Sequence, residues 1–249
     1  MTQVKIGKTI LGDGRTKIAV PIVGRNNVEI EEQIFNNAKH TPDLIEIRAD
    51  YYESLFEKGK LINMLENAKK LANDIPILFT IRTKNEGGEI AINYELYSDL
   101  LISVAMSGFV DAVDVEGYFK DDVKPLIANL KSHNVVVIAS YHNFESTPGQ
   151  TELVMKLGKL MKTGADVVKL AVMPNSPRDV LNLMEATLGT EERYPDTPMI
   201  TMSMGPLGMI SRIGGAAFGS CLSFANAGKA SAPGQLEIEE LRSLVNQMS

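Results

Sequence analysis

The residue in this sequence best placed to do chemistry is Lys169, which sits inside the apolar run Val167-Val168-Lys169-Leu170-Ala171-Val172. Desolvation and nearby arginines both disfavour an ammonium there. The neutral amine that results is a nucleophile toward ketones and condenses with them to an imine. A protonated imine draws electrons, so a modest base removes a proton from the neighbouring carbon. His142 suits that role, and Glu86 is the candidate to hold its ring in one tautomer and stabilise its cation. Arg48 and Arg82 point to a substrate carrying a carboxylate, or hydroxyls that need firm orientation.

These residues need strands to bring them together. Side chains two apart on a strand share a face. On that basis Leu44, Glu46 and Arg48 face one way, and Ile45 and Ile47 the other. The same alternation groups Leu78, Thr80 and Arg82; Ala112, Asp114 and Glu116; Ile138, Ser140 and His142; and Val167, Lys169 and Ala171. Five consecutive strands thus carry ionisable groups at their C-terminal ends, all on one face. In a (β/α)8 barrel that face is the interior, and that end is where active sites lie. Taken singly, each residue has a blander reading. Lys169 would be a snorkelling lysine, and Glu46 and Arg48 a structural ion pair. Asp114 and Glu116 would neutralise Arg48 or Arg82, and His142 would be a satisfied core histidine. Burying so many charges together is costly unless they serve one another.

The rest of the chain supplies the elements. Short apolar runs at residues 17–23, 44–47, 77–81, 110–115, 135–139, 167–172, 199–202 and 221–224 read as eight buried parallel strands. Amphipathic helices alternate with them, as in the repeat Tyr97, Leu100, Leu101 and Val104, and again in Leu241, Leu244, Val245 and Met248. Ser176-Pro177-Arg178-Asp179 reads as a helix start. Lys5-Ile6 and Thr9-Ile10-Leu11 leading into Gly12-Asp13-Gly14 predict an N-terminal β-hairpin turning at those glycines. The expected architecture is α/β, one (β/α)8 TIM barrel over residues 1–249 with that hairpin in front. No dinucleotide fingerprint or phosphate-cradling loop follows any predicted strand.

Composition narrows the function classes. Apolar residues make up 44% and charged residues 22%, with a net charge of −6. No basic run interleaved with aromatics suggests nucleic acid. No stretch approaches the roughly 18 apolar residues of a membrane span, and residues 1–11 lack the apolar run of a signal peptide. The single cysteine, Cys221, fits a reducing cytoplasm. With histidines only at 40, 133 and 142, cysteine–histidine zinc sites are excluded.

Six local sequences then occur in order. They are Glu46-Ile47-Arg48-Ala49-Asp50; Thr80-Ile81-Arg82-Thr83 continuing to Glu86-Gly87-Gly88; Ser140-Tyr141-His142-Asn143-Phe144; Ala165-Asp166-Val167-Val168-Lys169; Ser211-Arg212; and Ser231-Ala232-Pro233-Gly234-Gln235. Together they resemble the type I 3-dehydroquinate dehydratases, the Schiff-base-forming family of the shikimate pathway, over nearly the whole chain. The resemblance implies loss of water from 3-dehydroquinate to give 3-dehydroshikimate, a homodimer, and no cofactor or metal. It implies that Lys169 forms the imine and that His142, oriented by Glu86, moves the protons. Arg212 would pair with the substrate carboxylate, and Glu46, Arg48 and Arg82 would position ring hydroxyls. Ser231 and Gln235 would belong to a Gly-, Ala- and Pro-rich loop, residues 228–235, that closes as a lid. Met202 would wall the ring, or be core alone.

Three other readings compete. A class I aldolase would share the lysine and the fold. A magnesium-dependent barrel would use Glu46, Asp114 and Glu116 as ligands. A non-catalytic barrel would bind a small carboxylic acid without turnover.

Overall fold

In the computed structural model, which describes residues 2–228 and 231–248, apolar periodicity resolves into alternating strands and helices. Two short strands, β1 (Val4–Ile6) and β2 (Thr9–Leu11), come first and pair antiparallel. Eight parallel strands follow: β3 (Lys17–Ile22), β4 (Leu44–Arg48), β5 (Ile77–Thr80), β6 (Ala112–Glu116), β7 (Val136–Asn143), β8 (Val167–Val172), β9 (Met199–Ser203) and β10 (Leu222–Phe224). A helix follows each: α1 (Asn27–Ala38), α2 (Lys58–Leu71), α3 (Tyr94–Ser107), α4 (Lys124–Lys131), α5 (Gln150–Met161), α6 (Pro177–Arg193), α7 (Met209–Ile213) and α8 (Ile238–Gln247). The strand order is β10-β3-β4-β5-β6-β7-β8-β9. Its two ends meet through a bridge between Met199 and Ser220, with the Cys221 amide donating to the Met199 carbonyl at 2.9 Å. The sheet is a nearly closed (β/α)8 barrel.

The two faces of the sheet form separate apolar clusters, as strand alternation requires. Ile45, Ile47, Phe79, Val113, Val115, Val137, Val168 and Leu170 pack outward against the helices. Leu44, Leu78, Ala112, Ile138, Val167, Ile200 and Leu222 pack inward. The inward apolar layer fills the N-terminal half of the barrel and leaves the C-terminal half to polar side chains. Ser176 and Asp179 form a reciprocal capping box at the start of α6, with Pro177 in its first turn.

The hairpin turns elsewhere than the glycine-rich segment suggested. Ile6 pairs with Thr9, so the turn is Gly7-Lys8, and Gly7 has the positive φ of +55° that a tight hairpin turn needs. Residues 12–16 instead carry the chain into β3, pinned where Asp13 accepts from Lys17 at 2.7 Å. Met248 also departs from its expected apolar stripe, because α8 ends before it and its side chain is exposed. The hairpin closes the N-terminal mouth of the barrel, since Ile6 and Leu11 are fully buried in the inward cluster. Leu11→Ala is therefore expected to cost about 2–5 kcal/mol, the usual range for emptying a packed aliphatic site. A midpoint shift in urea unfolding reads it, and a loss below about 1 kcal/mol would show that the hairpin does not plug the barrel.

Candidate active site

The C-terminal half of the barrel holds a small cavity of about 40 Å³. Lys169 lies at its floor, on β8, opposite Ser140 of β7 in the parallel register. Its Nζ stands 3.3 Å from Glu46 Oε1 and 3.5 Å from Asp114 Oδ2, and 4.5 Å from the centroid of the Phe224 ring. The side chain is desolvated as its sequence surroundings suggested. Its nearest charged neighbours, however, are carboxylates rather than arginines. Thr80 Oγ1 donates to the same Glu46 oxygen at 2.9 Å, which fixes that carboxylate.

Arg82 occupies the chain just beyond β5 and joins three carboxylates. Nη2 donates to Asp114 Oδ1 at 2.8 Å, while Nη1 reaches Glu116 Oε1 and Ser140 Oγ at 3.0 Å and Glu86 Oε2 at 3.2 Å. Glu116 also takes the Thr83 amide and hydroxyl, each at 2.8 Å. Arg48 is held separately, by a two-pronged contact with Asp50 at 2.9 and 2.8 Å. Five buried carboxylates (Glu46, Asp50, Glu86, Asp114 and Glu116) thus face three cations (Arg48, Arg82 and Lys169). The surplus of negative charge shows in the acid–base balance. Burial and then the Glu116 carboxylate push Glu86 well above the usual carboxylate range, against the pull of Arg82. Asp114 goes the other way: burial acts upward but Arg82, and after it Lys169, hold its carboxyl below that range.

His142 lies two residues beyond the Ser140–Lys169 pair on the same inward face, so its ring stands above Lys169 toward the mouth. Nδ1 is 2.9 Å from Glu86 Oε2, and the His142 amide donates to that oxygen at 3.0 Å. Burial, followed by the charges of Arg82, Lys169 and Arg48, holds the imidazole well below its ordinary value. The base-competent form has Nδ1–H facing an ionised Glu86 and leaves Nε2 free for a substrate proton. The amide and Arg82 favour that form, and the crowd of carboxylates resists it.

Arg212, on α7, is the contrasting cation. It is buried, yet among the described residues it has no carboxylate partner. Nη2 donates to the Pro233 carbonyl at 3.0 Å, Nη1 meets Met202 Sδ at 3.7 Å, and Nε has no hydrogen-bond partner. Burial alone lowers it to about 10. It touches Met202 and the 231–235 segment, which line the cavity. Ser231 and Gln235 bond to each other: the Ser231 amide donates to Gln235 Oε1 at 2.9 Å, and Gln235 Nε2 donates to Ser231 Oγ at 3.1 Å. Gly234 has φ +78°, and a Cβ there would strike the Gly205 carbonyl, so this segment lies directly on the β9 loop. Lys229 and Ala230, part of the expected lid, lie outside the described residues.

Lys169, His142, Glu46, Arg48, Arg82, Ser231 and Gln235 line one cavity, and Glu86 touches His142 from behind. Sequence reasoning did not single out Phe224 beneath the amine, Thr83 on Glu116, or Phe144, which packs so closely on Gly87 that a Cβ there would strike its ring. The alternation that selected Lys169 selects Phe224 equally, but an aromatic in a barrel strand carries no chemical signal of its own. Glu46, Asp114 and Glu116 do not gather as metal ligands, since each is turned to Lys169, Arg82 or Thr83. Among the described residues no three His, Cys, Asp or Glu side chains form a metal-holding group.

Comparison with known proteins agrees over most of the chain. The family model for type I 3-dehydroquinase matches residues 18–249. The 3-dehydroquinate dehydratase of Clostridium kluyveri is 44% identical over 99% of this chain and 97% of its own. That of Bacillus licheniformis is 42% identical over 98% and 96%. The solved type I 3-dehydroquinate dehydratase of Clostridium difficile, bearing covalently modified comenic acid, superposes with a TM-score of 0.96. It is 38% identical, covering 100% of this chain and 98% of that one.

The depressed imidazole gives a direct test. A base whose conjugate acid is held well below the ordinary value stays neutral to lower pH. The His142 ring is expected to remain neutral at pH 6.5 in nitrogen NMR of the imidazole, and a His142 midpoint at or above 6.5 contradicts the buried, cation-facing setting.

Proposed function

We propose, from the premise that this chain belongs to the type I 3-dehydroquinase family and dehydrates 3-dehydroquinate to 3-dehydroshikimate in the shikimate pathway, that Lys169 carries this hydro-lyase reaction as a Schiff base. The observation that carries the assignment is a buried amine between two carboxylates, with a buried imidazole–carboxylate pair one step up the neighbouring strand. The Lys169 ammonium first gives up a proton, with Glu46 as the base in contact. The amine adds to the substrate ketone, and the proton held on the carboxylate passes to the adduct's hydroxyl, which leaves as water to give an iminium. That cation keeps the charge the ammonium had, so the same two carboxylates stabilise it without reorganising. His142 Nε2 then removes a proton from the carbon beside the iminium, and the electron pair enters the iminium to give an enamine. Return of that proton to the leaving hydroxyl expels it as water. A further water hydrolyses the product imine and frees Lys169.

The other roles follow from charge. A buried guanidinium without a counter-ion is matched to the substrate carboxylate, and Arg212 takes that part. Glu46 and Arg48 line the cavity with polar atoms suited to ring hydroxyls. Arg82 lines it too, but its Nη atoms are committed to protein carboxylates, so it orients substrate chiefly by holding those carboxylates in place. Met202 and Phe224 supply apolar walls. Ser231 and Gln235 form the lid edge, with the 231–235 segment against the Gly205 turn excluding water. The reading takes residues 1–249 as one catalytic domain that needs no cofactor. Its location in the cytoplasm is supported by the free, buried Cys221. The homodimer is supported by the family alone, and sedimentation velocity showing a monomer at working concentration would remove it.

The deciding experiment is borohydride trapping with 3-dehydroquinate, read by intact mass and peptide mapping. A reduced adduct on Lys169 that has lost the substrate's extra water is expected. An adduct elsewhere, or none with folded protein, would overturn the assignment. Lys169→Ala should trap nothing. Arg212→Ala should still trap, but only at substrate concentrations raised by about ten- to a hundredfold, as for loss of a charged contact worth roughly 1.5–3 kcal/mol. An unchanged concentration dependence would take Arg212 out of carboxylate recognition.

A further inference from the structure

Among the barrel strands that pair in a ladder, β5 and β6 share the fewest residues. Two residue pairs, Leu78 with Ala112 and Phe79 with Val113, make that ladder, against five between β6 and β7 and six between β7 and β8. Beyond Val113, β6 runs on to Glu116 with no partner in β5, and that stretch carries both Asp114 and Glu116. The chain after β5 turns into the site instead, where Arg82 and Thr83 take up those two carboxylates. The edge of β6 left bare is met from outside the barrel by Tyr97 of α3. Its hydroxyl accepts from the Glu116 amide at 3.0 Å and donates to the Asp114 carbonyl at 3.5 Å. The ring is fully buried and stacks on Phe119 with centroids 4.9 Å apart.

We propose that Tyr97 is a positioning residue for the dehydration: its hydroxyl replaces the missing β5 partner and holds the end of β6, and with it the Asp114 and Glu116 carboxylates, against Arg82. The inference rests on the roles given above to Lys169 and the His142–Glu86 pair. Packing does not account for the hydroxyl, because phenylalanine would fill the same apolar space. Burial, then Glu116 and Asp114, keep the phenol well above its ordinary range, so it remains a donor. The effect would reach the acid–base pair through Glu116. Glu86 faces Glu116 and Asp114 of β6, Arg82 after β5, His142 of β7, and Tyr118 beyond β6, and the Glu116 carboxylate pushes it upward. A loosened Glu116 relaxes that push, and the ionised, base-orienting form of Glu86 then persists to lower pH.

The test compares Tyr97→Phe with Phe119→Leu, which disturbs the stack but keeps the hydroxyl. Tyr97→Phe is expected to leave KM within about twofold and to lower kcat about tenfold. It should also move the acidic limb of the kcat profile to lower pH by roughly half a unit. Phe119→Leu is expected to lower Tm without moving that limb. Tyr97→Phe with wild-type kcat, KM and pH limb, differing only in Tm, would overturn the proposal. If Tyr97→Phe does not fold, 4-aminophenylalanine at position 97 takes its place. It keeps a polar atom but accepts poorly, so a moved limb supports the proposal and a wild-type limb sinks it. Borohydride trapping on the wild type separates the two levels: failure to trap at Lys169 removes the catalytic reading, whereas normal trapping with an unmoved limb in the position-97 variant removes only this one.

Discussion

The guanidinium of Arg82 is the constraint on which the site depends. Three carboxylates, Glu86, Asp114 and Glu116, lie in a region with almost no water, and each would be costly there alone. A lysine would not serve, because only a planar fork presents separate donors to partners in different directions at once. Removing one partner from such a cluster costs about 3–5 kcal/mol, since the remaining charges stay buried without compensation. Each carboxylate that Arg82 holds has a second contact: Asp114 with Lys169, Glu86 with His142, and Glu116 with the Thr83 hydroxyl and the end of β6. One side chain thereby holds the carboxylates that touch both Lys169 and His142.

That arrangement follows from how the barrel divides its interior. The lower half is filled by aliphatic residues and plugged by Ile6 and Leu11, so it excludes water from below. The upper half receives one or two polar side chains from each of five neighbouring strands. Because β7 and β8 pair in strict register, a histidine two residues past the Lys169 partner must stand above the lysine on the same face. The relation between Lys169 and His142 is therefore a property of backbone pairing, and the side chains inherit it. Strands carry most of the polar groups of the cavity, and the 231–235 segment lies beside it against the Gly205 turn.

Much of this is legible in the sequence alone, for a specific reason. Alternation on a strand is a strict period of two, so placing Lys169 in an apolar run assigns Glu46, Asp114, His142 and Arg82 to its face without knowledge of their distances. Alternation says nothing about which charge meets which. It suggests that arginines crowd Lys169, whereas Glu46 and Asp114 are the groups in contact with it. It does not reveal that β5 and β6 part company after two pairs, because strand divergence depends on where Arg82 inserts. The N-terminal turn is misread for a related reason. Gly12-Asp13-Gly14 and Gly7-Lys8 both favour a turn, and the choice between them is made by packing Ile6 and Leu11 into the barrel, which is a long-range fact.

Arg48, Arg82 and Arg212 show how a folded chain separates paired from unpaired charge. Arg48 and Arg82 are bound to carboxylates of their own chain, and those contacts raise their basicity despite burial. Arg212 has a sulfur, one carbonyl and an idle Nε, and its basicity falls. A chain selected only for stability would pair or replace such a residue, because an uncompensated buried cation opposes folding. Its retention makes sense if the missing anion arrives with the substrate, so that binding supplies the contact that folding leaves out. The same logic separates Lys169 from an ordinary buried ion pair. Its counter-charges are already present, and under the proposed mechanism they stay in place when the ammonium becomes an iminium, so the new cation meets charges that have no need to move. Under the proposed mechanism, binding energy enters at Arg212 and the chemistry proceeds at Lys169, and the folded state carries one unpaired cation until the substrate carboxylate is in place.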